Sequence, residues 1–382
     1  MSLVTLNSGS SSIKFALYDD DGRTRRLRGA VSGIGKTAKL SLTRADQKTT
    51  EETLGELSHE QALEYALDRV HDQAGRQMRA IGHRIVHGGA AFTRAVRIED
   101  GVEDRLRVLI PLAPSHQPHN LAGIASARTR FPGAVQTASF DTAFHRAQPF
   151  VADTYALPRR YYDEGIRRYG FHGLSYDYLS HRVCELEGER RTVIAHLGSG
   201  ASMCAVNGRA PLGSTMGLTA LDGLPMSTRC GQIDPGAVLH LIGHEGLDAG
   251  GASELLYKQS GLKGLSGGTD DMRELEESGT TEAQETLAYF VRRCRMEIAA
   301  LASTLEGLDT LVFSAGIGEN SAFIRREICA GLSWLGVELD AEANTGAGRE
   351  TRISAESSPV AVWVIATDEE SVIARDVAGL IG

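Results

Sequence analysis

Cysteine is sparse in this chain: Cys184, Cys204, Cys230, Cys294 and Cys329 make an odd set with no C-x-x-C pair. The pattern gives no support to a zinc knuckle or a disulfide framework, and it fits reduced thiols in a cytoplasmic protein. Long apolar runs are missing too. No stretch approaches about 18 consecutive apolar residues, so no membrane span is expected. The opening residues Met1–Asn7 lack a basic region followed by an apolar stretch, so no signal peptide is expected. Positive charge is in deficit, with 40 Lys and Arg against 49 Asp and Glu and a formal net charge of −9. That balance argues against nucleic acid or an anionic membrane as a partner. A phosphate ligand would have to be held by a few local cations and backbone amides.

Apolar residues make up 42% and charged residues 23%, the proportions of a folded globular chain rather than a disordered one. At 382 residues the chain exceeds one typical domain, and two compact units are the natural expectation. Glycine is abundant, 43 residues, much of it clustered beside β-like runs. Leu3–Leu6 leads into Asn7-Ser8-Gly9-Ser10-Ser11-Ser12 and then Ile13–Tyr18, whose alternation places Ile13, Phe15 and Leu17 on one face. A similar unit returns at Val193–His196, Leu197–Ser202 and Met203–Val206. The first ends in Asp21-Gly22-Arg23 and the second in Asn207-Gly208-Arg209, which reads as a duplicated domain. Residues 59–74 carry Ala62, Tyr65, Ala66 and Val70 at helical spacing, and 282–306 carry Phe290, Val291, Ile298, Leu301 and Leu305. Val360–Ala366 reads as a buried strand, with Thr367 and Glu370 at capping-box spacing for a final helix. Strands and helices alternating in this way predict α/β architecture.

Ala30–Thr37 satisfies a loose P-loop pattern, but Ala38–Thr43 alternates like a strand where a P-loop needs a helix. A surface hairpin is the better reading. The Asn7–Ser12 loop offers amides and hydroxyls with little side-chain obstruction, and Lys14 adds charge on the face opposite the apolar residues. An ordinary Ser-rich turn is the alternative. Ala134–Phe140 reads as a strand ending at Asp141, a position suited to a metal or a nucleophile, or to a plain helix cap. Leu308–Ser314 is followed by Ala315-Gly316-Ile317-Gly318-Glu319-Asn320 and a helix-like Ser321–Ala330. Glycines there admit a nucleoside or phosphate, or simply a tight turn. Gly82–Gly89 sets Arg84 and two imidazoles among apolar residues. Tyr169–Gly173 and Met226–Gly231 add His172 and Arg229 in glycine-flanked loops.

In this order, Asn7–Phe15, Gly82–Gly89, Phe140–His145, Tyr169–Gly173, Thr228–Pro235, Gly316–Asn320 and Thr367–Glu370 resemble the acetate kinase family. The resemblance spans nearly the whole chain. It implies two duplicated, actin-like (ribonuclease H-like) α/β domains with the active site in the interdomain cleft. Residues 1–146 with 368–382 would form one domain, and 147–367 a second that binds nucleotide and dimerises. It implies a homodimer acting on a small carboxylate and ATP/ADP, with Mg²⁺, or Mn²⁺, as cofactor. Carried over by position, Asn7, Asp141 and Glu369 would surround the metal, as hard oxygen donors completed by water and phosphate. Arg84, Val86 and Arg229 would hold the acyl substrate, and Arg84, His116, Asp141, His172 and Arg229 would serve the transfer. The nucleotide would meet Ser10, Ser12, Lys14, His196, Leu197, Gly198, Ser199, Gly200, Asp271, Met272, Arg273, Gly316, Ile317, Gly318, Glu319 and Asn320.

A carboxylate is already deprotonated, so the implied reaction is direct in-line transfer to acetate, driven by positioning and electrostatics. Asp141 acting as base or phosphate acceptor is the mechanistic alternative. The chain also departs from the family pattern. Ser199 stands where Asn is usual, which leaves pyrophosphate open as a donor. Ser115, Gln117 and Ala220 replace Leu, Asn and Pro, and Leu174 and Tyr176 replace Thr and His. The Ser115 and Ala220 changes touch the acyl pocket and leave propionate or another short acid open. A non-catalytic nucleotide-dependent switch is the rival from another class, and the Arg84, His172 and Arg229 set argues against it.

Overall fold

The computed structural model describes residues 2–9, 11–74 and 78–382. The chain clusters into two compact units. The first comprises Met1–Arg146, Phe171–Leu174 and Asp368–Gly382, and the second Ala147–Gly170 and Ser175–Thr367. Phe171–Leu174 thus groups with the first unit although its numbers fall inside the second.

The first unit holds an eight-stranded sheet built from β1 (Ser2–Ser8), β2 (Ser12–Asp19), β3 (Arg25–Ser32), β4 (Thr37–Arg44), β5 (Thr49–Glu56), β6 (Met78–Ile85), β7 (Val96–Arg97) and β8 (Val135–Phe140). Its order is β5-β4-β3-β2-β1-β6-β8-β7. The second unit holds β9 (Arg191–Leu197), β10 (Ala201–Asn207), β11 (Ala210–Ser214), β12 (Thr310–Ser314), β13 (Glu350–Arg352) and β14 (Ala361–Ile365), in the order β11-β10-β9-β12-β14-β13.

Six strands correspond one to one. In each unit three antiparallel strands (β3-β2-β1, β11-β10-β9) come first. A parallel strand follows (β6, β12), then a second (β8, β14) with an antiparallel edge (β7, β13). The two glycine hairpins singled out in the sequence therefore occupy equivalent places, as a duplication requires. The loose P-loop string is the β3–β4 hairpin, with Gly33 and Gly35 at φ 74° and 77° and no helix after it.

Helix His59–Ala74 buries Ala62, Leu63, Ala66, Leu67 and Val70 against Val4, Leu6, Ile13 and Phe15 of the sheet. The buried stripe also takes in Leu63 and Leu67, while Tyr65 is half-buried at its edge with its hydroxyl donating to Glu52 at 3.0 Å. The terminal helix Glu369–Ile381 packs on β6, where a Cβ at Gly82 would lie 2.4 Å from Val377 Cγ2. Only glycine permits that approach.

Two local expectations change. Asp368, not Thr367, caps the final helix by accepting from Ser371 N, because its carboxylate reaches the third amide of the first turn. Ala315–Asn320 is itself a short helix, so its glycines do not form an open turn. Ser321 then caps the separate helix Ala322–Ala330.

Candidate active site

In the first unit the sheet ends assemble a charged cluster. β6 and β8 run parallel, and Asp141 N continues the ladder by donating to Ile85 O at 3.0 Å. That register sets Asp141 beside Arg84. The guanidinium grips the carboxylate through two bonds, Nε–Oδ1 at 2.9 Å and Nη2–Oδ2 at 2.7 Å. Glu369, in the first turn of the terminal helix, approaches Nη1 at 3.3 Å. Burial works against the Arg84 charge, and Asp141 and Glu369 overcome it, holding its pKa above the ordinary value. Burial pushes the Asp141 carboxyl upward, Arg84 pulls it back, and Glu369 adds a further upward push. Two carboxylates thus share one cation, and the cluster is short of positive charge.

Asn7 is the next-to-last residue of β1, one position beyond the Leu6–His83 pair, and Lys14 faces it across the β1–β2 hairpin with its side chain exposed. Ser12 opens β2, half-buried; Ser10 lies outside the described residues. Val86 is buried directly after β6.

The Phe171–Leu174 turn is stitched to the same cluster. Gly173 N donates to Asp141 O at 2.9 Å, and His145 Nε2 donates to Phe171 O at 2.9 Å. Burial lowers the His145 imidazole to about 4, which keeps it neutral. A Cβ at Gly173 would lie 2.2 Å from Asp141 O, so this contact needs glycine. His172 sits on the turn at φ 56°, a left-handed conformation costing a non-glycine residue about 1–3 kcal/mol. His116 occupies the N-cap of helix Gln117–Arg130, half-buried and without a side-chain cap bond.

The second unit builds a different site. A cavity of about 530 Å³ is lined by Gly198, Ser199, Ser227, Asp270, Asp271, Met272, Arg273, Glu276, Gly316, Ile317, Asn320 and Ser321. Eight of the residues chosen from the sequence meet here. Leu197 and His196 lie buried in β9, the latter bonded to Ser175 Oγ at 2.9 Å. Gly200 closes the loop to β10. Gly318 is buried beneath the wall, and Glu319 turns back to accept from Ala315 N at 2.9 Å. That bond steadies Ala315, which is left-handed at φ 64°. Asp271 spends its carboxylate capping helix Met272–Glu277, and the bond from Arg273 N lowers its pKa. Ser227, Asp270, Glu276 and Ser321 were not singled out as cavity residues. Ser227 lies in the Met226–Gly231 string; the Ser321–Glu276 hydrogen bond, across 45 residues, leaves no sequence pattern.

Arg229 is half-buried nearby. Its Nη1 donates to Ala220 O at 2.9 Å and approaches Met226 Sδ at 3.4 Å. Among the described residues of its unit, no carboxylate forms an ion pair with it. Burial lowers its pKa. The turn that carries it is fixed by Met226 N to Arg229 O at 3.0 Å and Ser227 N to Ser199 O at 3.2 Å, which joins it to the cavity wall.

Among the described residues, no group of three or more His, Cys, Asp or Glu could hold a metal ion. The donor set at the first cluster is two carboxylates, Asp141 and Glu369, with the Asn7 amide. Its hard oxygens and deficit of positive charge fit Mg²⁺, which takes few protein ligands and keeps water and phosphate; the oxygens suit Mn²⁺ as well.

The acetokinase family model matches residues 2–375. An acetate kinase of Methylocella silvestris is 48% identical over 397 residues, covering 99% of this chain and 98% of its own. One of Nitrobacter hamburgensis is 45% identical over 390 residues, with 100% and 96% covered. Among solved structures, Porphyromonas gingivalis acetate kinase matches all of both chains at 36% identity and TM-score 0.88. A Francisella tularensis propionate kinase matches 98% of both chains at 35% identity and TM-score 0.90. The chain shares with them the two-domain, actin-like α/β fold.

Proposed function

Because the chain belongs to the acetokinase family, we propose that it is an acetate kinase, moving the terminal phosphoryl group of ATP to acetate and back. The observation that carries the reading past family membership is the contrast of its two arginines. Arg84 is locked onto carboxylates, whereas among the described residues of its unit Arg229 donates to a carbonyl and approaches a thioether, with no carboxylate partner. A half-buried guanidinium without an ionic partner in its unit favours an incoming anion.

The first unit supplies the carboxylate end of the reaction and the second the nucleotide end. Arg84 has five N–H donors, of which three are engaged, leaving two for the acyl carboxylate. Val86 gives that site an apolar wall. An acetate oxygen attacks the γ-phosphorus as the bond to the β–γ bridging oxygen breaks, and ADP leaves with the electron pair. No proton need move, since the acceptor is already ionised. Charge on the transferring oxygens is met by Arg229 and His172, with His116 helping to orient the group. Both Asp141 oxygens are held by Arg84, which supports direct transfer over an aspartyl phosphate. Asn7, Asp141 and Glu369 would hold Mg²⁺, which when bound neutralises phosphate oxygens. The second unit's cavity, with Ser199 in its wall, takes the nucleoside and its phosphates.

We also propose a cytoplasmic homodimer. Among the described residues no helix is long and apolar enough to cross a membrane. The dimer reading is supported by helix Pro235–Gly243, which buries no residue of its own and leaves Leu239 69% exposed beside Ile242. An apolar helix so exposed suits a partner surface, and Leu239→Glu should shift the mass in solution from dimer to monomer by light scattering.

Hydroxamate trapping of acyl phosphate, with ATP, Mg²⁺ and a panel of C1–C4 acids, tests the activity. The largest signal is expected with acetate. A signal confined to propionate or a longer acid would reassign the substrate, and one confined to pyrophosphate would reassign the donor. Silence with every pair would overturn the reading.

A further inference from the structure

We infer that Asn120, backed by Gln117, is a positioning residue that ties the opening phosphate loop to the carboxylate-side loop, making one rigid piece of the first unit's site. Both amides are buried and lie three residues apart on one face of helix Gln117–Arg130. Asn120 Nδ2 donates to Ser8 O at 2.9 Å, and its Oδ1 accepts from Val86 N at 2.9 Å. Gln117 Nε2 donates to His87 O at 3.0 Å and Leu106 O at 3.3 Å, while its Oε1 accepts from His87 N at 3.3 Å.

The need for these bonds follows from where the sheet stops. β1 and β6 pair in parallel as far as Leu6 and His83. Past that pair, Ser8 at the end of β1 and Val86–His87 just after β6 no longer bond to each other across the ladder, yet they are buried, where unpaired peptide groups are costly. The Asn120 amide continues the ladder as a detached peptide unit, donating to one chain and accepting from the other. One turn further along the helix, a Cβ at Gly123 would lie 3.2 Å from Ser8 Cβ, so the helix rests directly on the loop. Asn7, adjacent to Ser8, and Val86 are thereby fixed relative to each other through one side chain. Gln117 bonds His87 and Leu106 and, among the described residues, makes no bond to Ser8. Its extra methylene relative to the family's asparagine spans the distance to both polar atoms of His87.

The kinetic consequence rests on the acetate kinase reading; the structural link does not. Full-length Asn120→Leu, a near-isostere without hydrogen bonds, and Gln117→Met are compared with the parent chain by steady-state kinetics and amide hydrogen exchange. Asn120→Leu should raise KM for both acetate and MgATP about five- to tenfold and lower kcat by a similar factor. Gln117→Met should raise the acetate KM about fivefold and leave that for MgATP within about twofold. In exchange, the first variant should lose protection in both segments, around Ser8 and around Val86, and the second only around Val86. Should Asn120→Leu not fold, Asn120→Asp, which keeps the acceptor for Val86 N, should disturb the Ser8 side alone. Unchanged kinetics and exchange in folded Asn120→Leu, or equal damage to both sides from Gln117→Met, would overturn the link. If the parent chain makes no acyl phosphate, the acetate kinase reading fails and the exchange pattern alone decides the link.

Discussion

Arg84 and Arg229 both stand in glycine-flanked stretches, and both are partly withdrawn from water, yet the two units treat them differently. In the first unit the ends of β6 and β8 carry Arg84 and Asp141, and the terminal helix adds Glu369. The guanidinium is over-matched by carboxylate, and its charge is held firmly. In the second unit the equivalent strands β12 and β14 place Phe313 and Ala366 at the corresponding positions, and neither is ionic. Its recognition surface is a backbone-walled cavity, and its arginine sits on a loop without an ionic partner in the unit. One strand order therefore supports two chemistries. A charged cluster is built before any ligand arrives, and a half-buried cation is left to be completed by one. The first arrangement contributes to holding the unit together, whereas the second exposes its charge for an anion at some expense of stability.

The largest expected effect breaks the comparison at Arg84. Arg84→Ala should abolish acyl phosphate formation and also lower stability by about 3–5 kcal/mol, because Asp141 and Glu369 lose their counter-charge. Denaturant melts should show the loss, and Arg84→Ala with Asp141→Asn should recover much of the stability and none of the activity. Arg229→Ala is the contrasting case. It should cost about 10²–10³ in kcat with an unchanged or slightly raised melting midpoint, read from the same melts. A stability loss equal to that of Arg84→Ala would show that Arg229 is paired after all.

Gly173→Ala should act more mildly, through the Asp141 contact. The added Cβ must move the His172 turn, and kcat should fall about tenfold with the acetate KM little changed. Damage to KM alone would place His172 away from the transferred group.

The smallest expected effect concerns acid. His83 and His145, both in the first unit, are lowered by burial to about 4. A depressed histidine adds stability above its unfolded pKa near 6.5, lost as pH falls toward 4. The first unit should therefore loosen before the second. Trp334 and Trp363, the chain's two tryptophans, both lie in the second unit. On acidification, circular dichroism should change ahead of tryptophan emission, by about one pH unit. Coincident transitions would mean that the units unfold together.

The local sequence determined a good deal of this protein. Alternation at Ile13, Phe15 and Leu17 marked β2, and the Ala62, Ala66 and Val70 spacing marked the first helix. The glycine hairpins marked the duplication, since period and turn chemistry are written within a few residues of each other. The ordered strings from Asn7 to Glu370 contain the residues that meet at the Arg84 cluster and several of those lining the second unit's cavity. What the tertiary structure alone decided is which of those groups meet. Arg84 finds Asp141 across 57 residues, and Asn120 finds Ser8 across 112, only once parallel strands have set their register. The same holds for the cap of the last helix, which passed to Asp368 because its carboxylate is the group that reaches Ser371 N. A side chain's charge state and partner are properties of its surroundings, and burial and strand pairing assemble those surroundings from residues far apart in the chain.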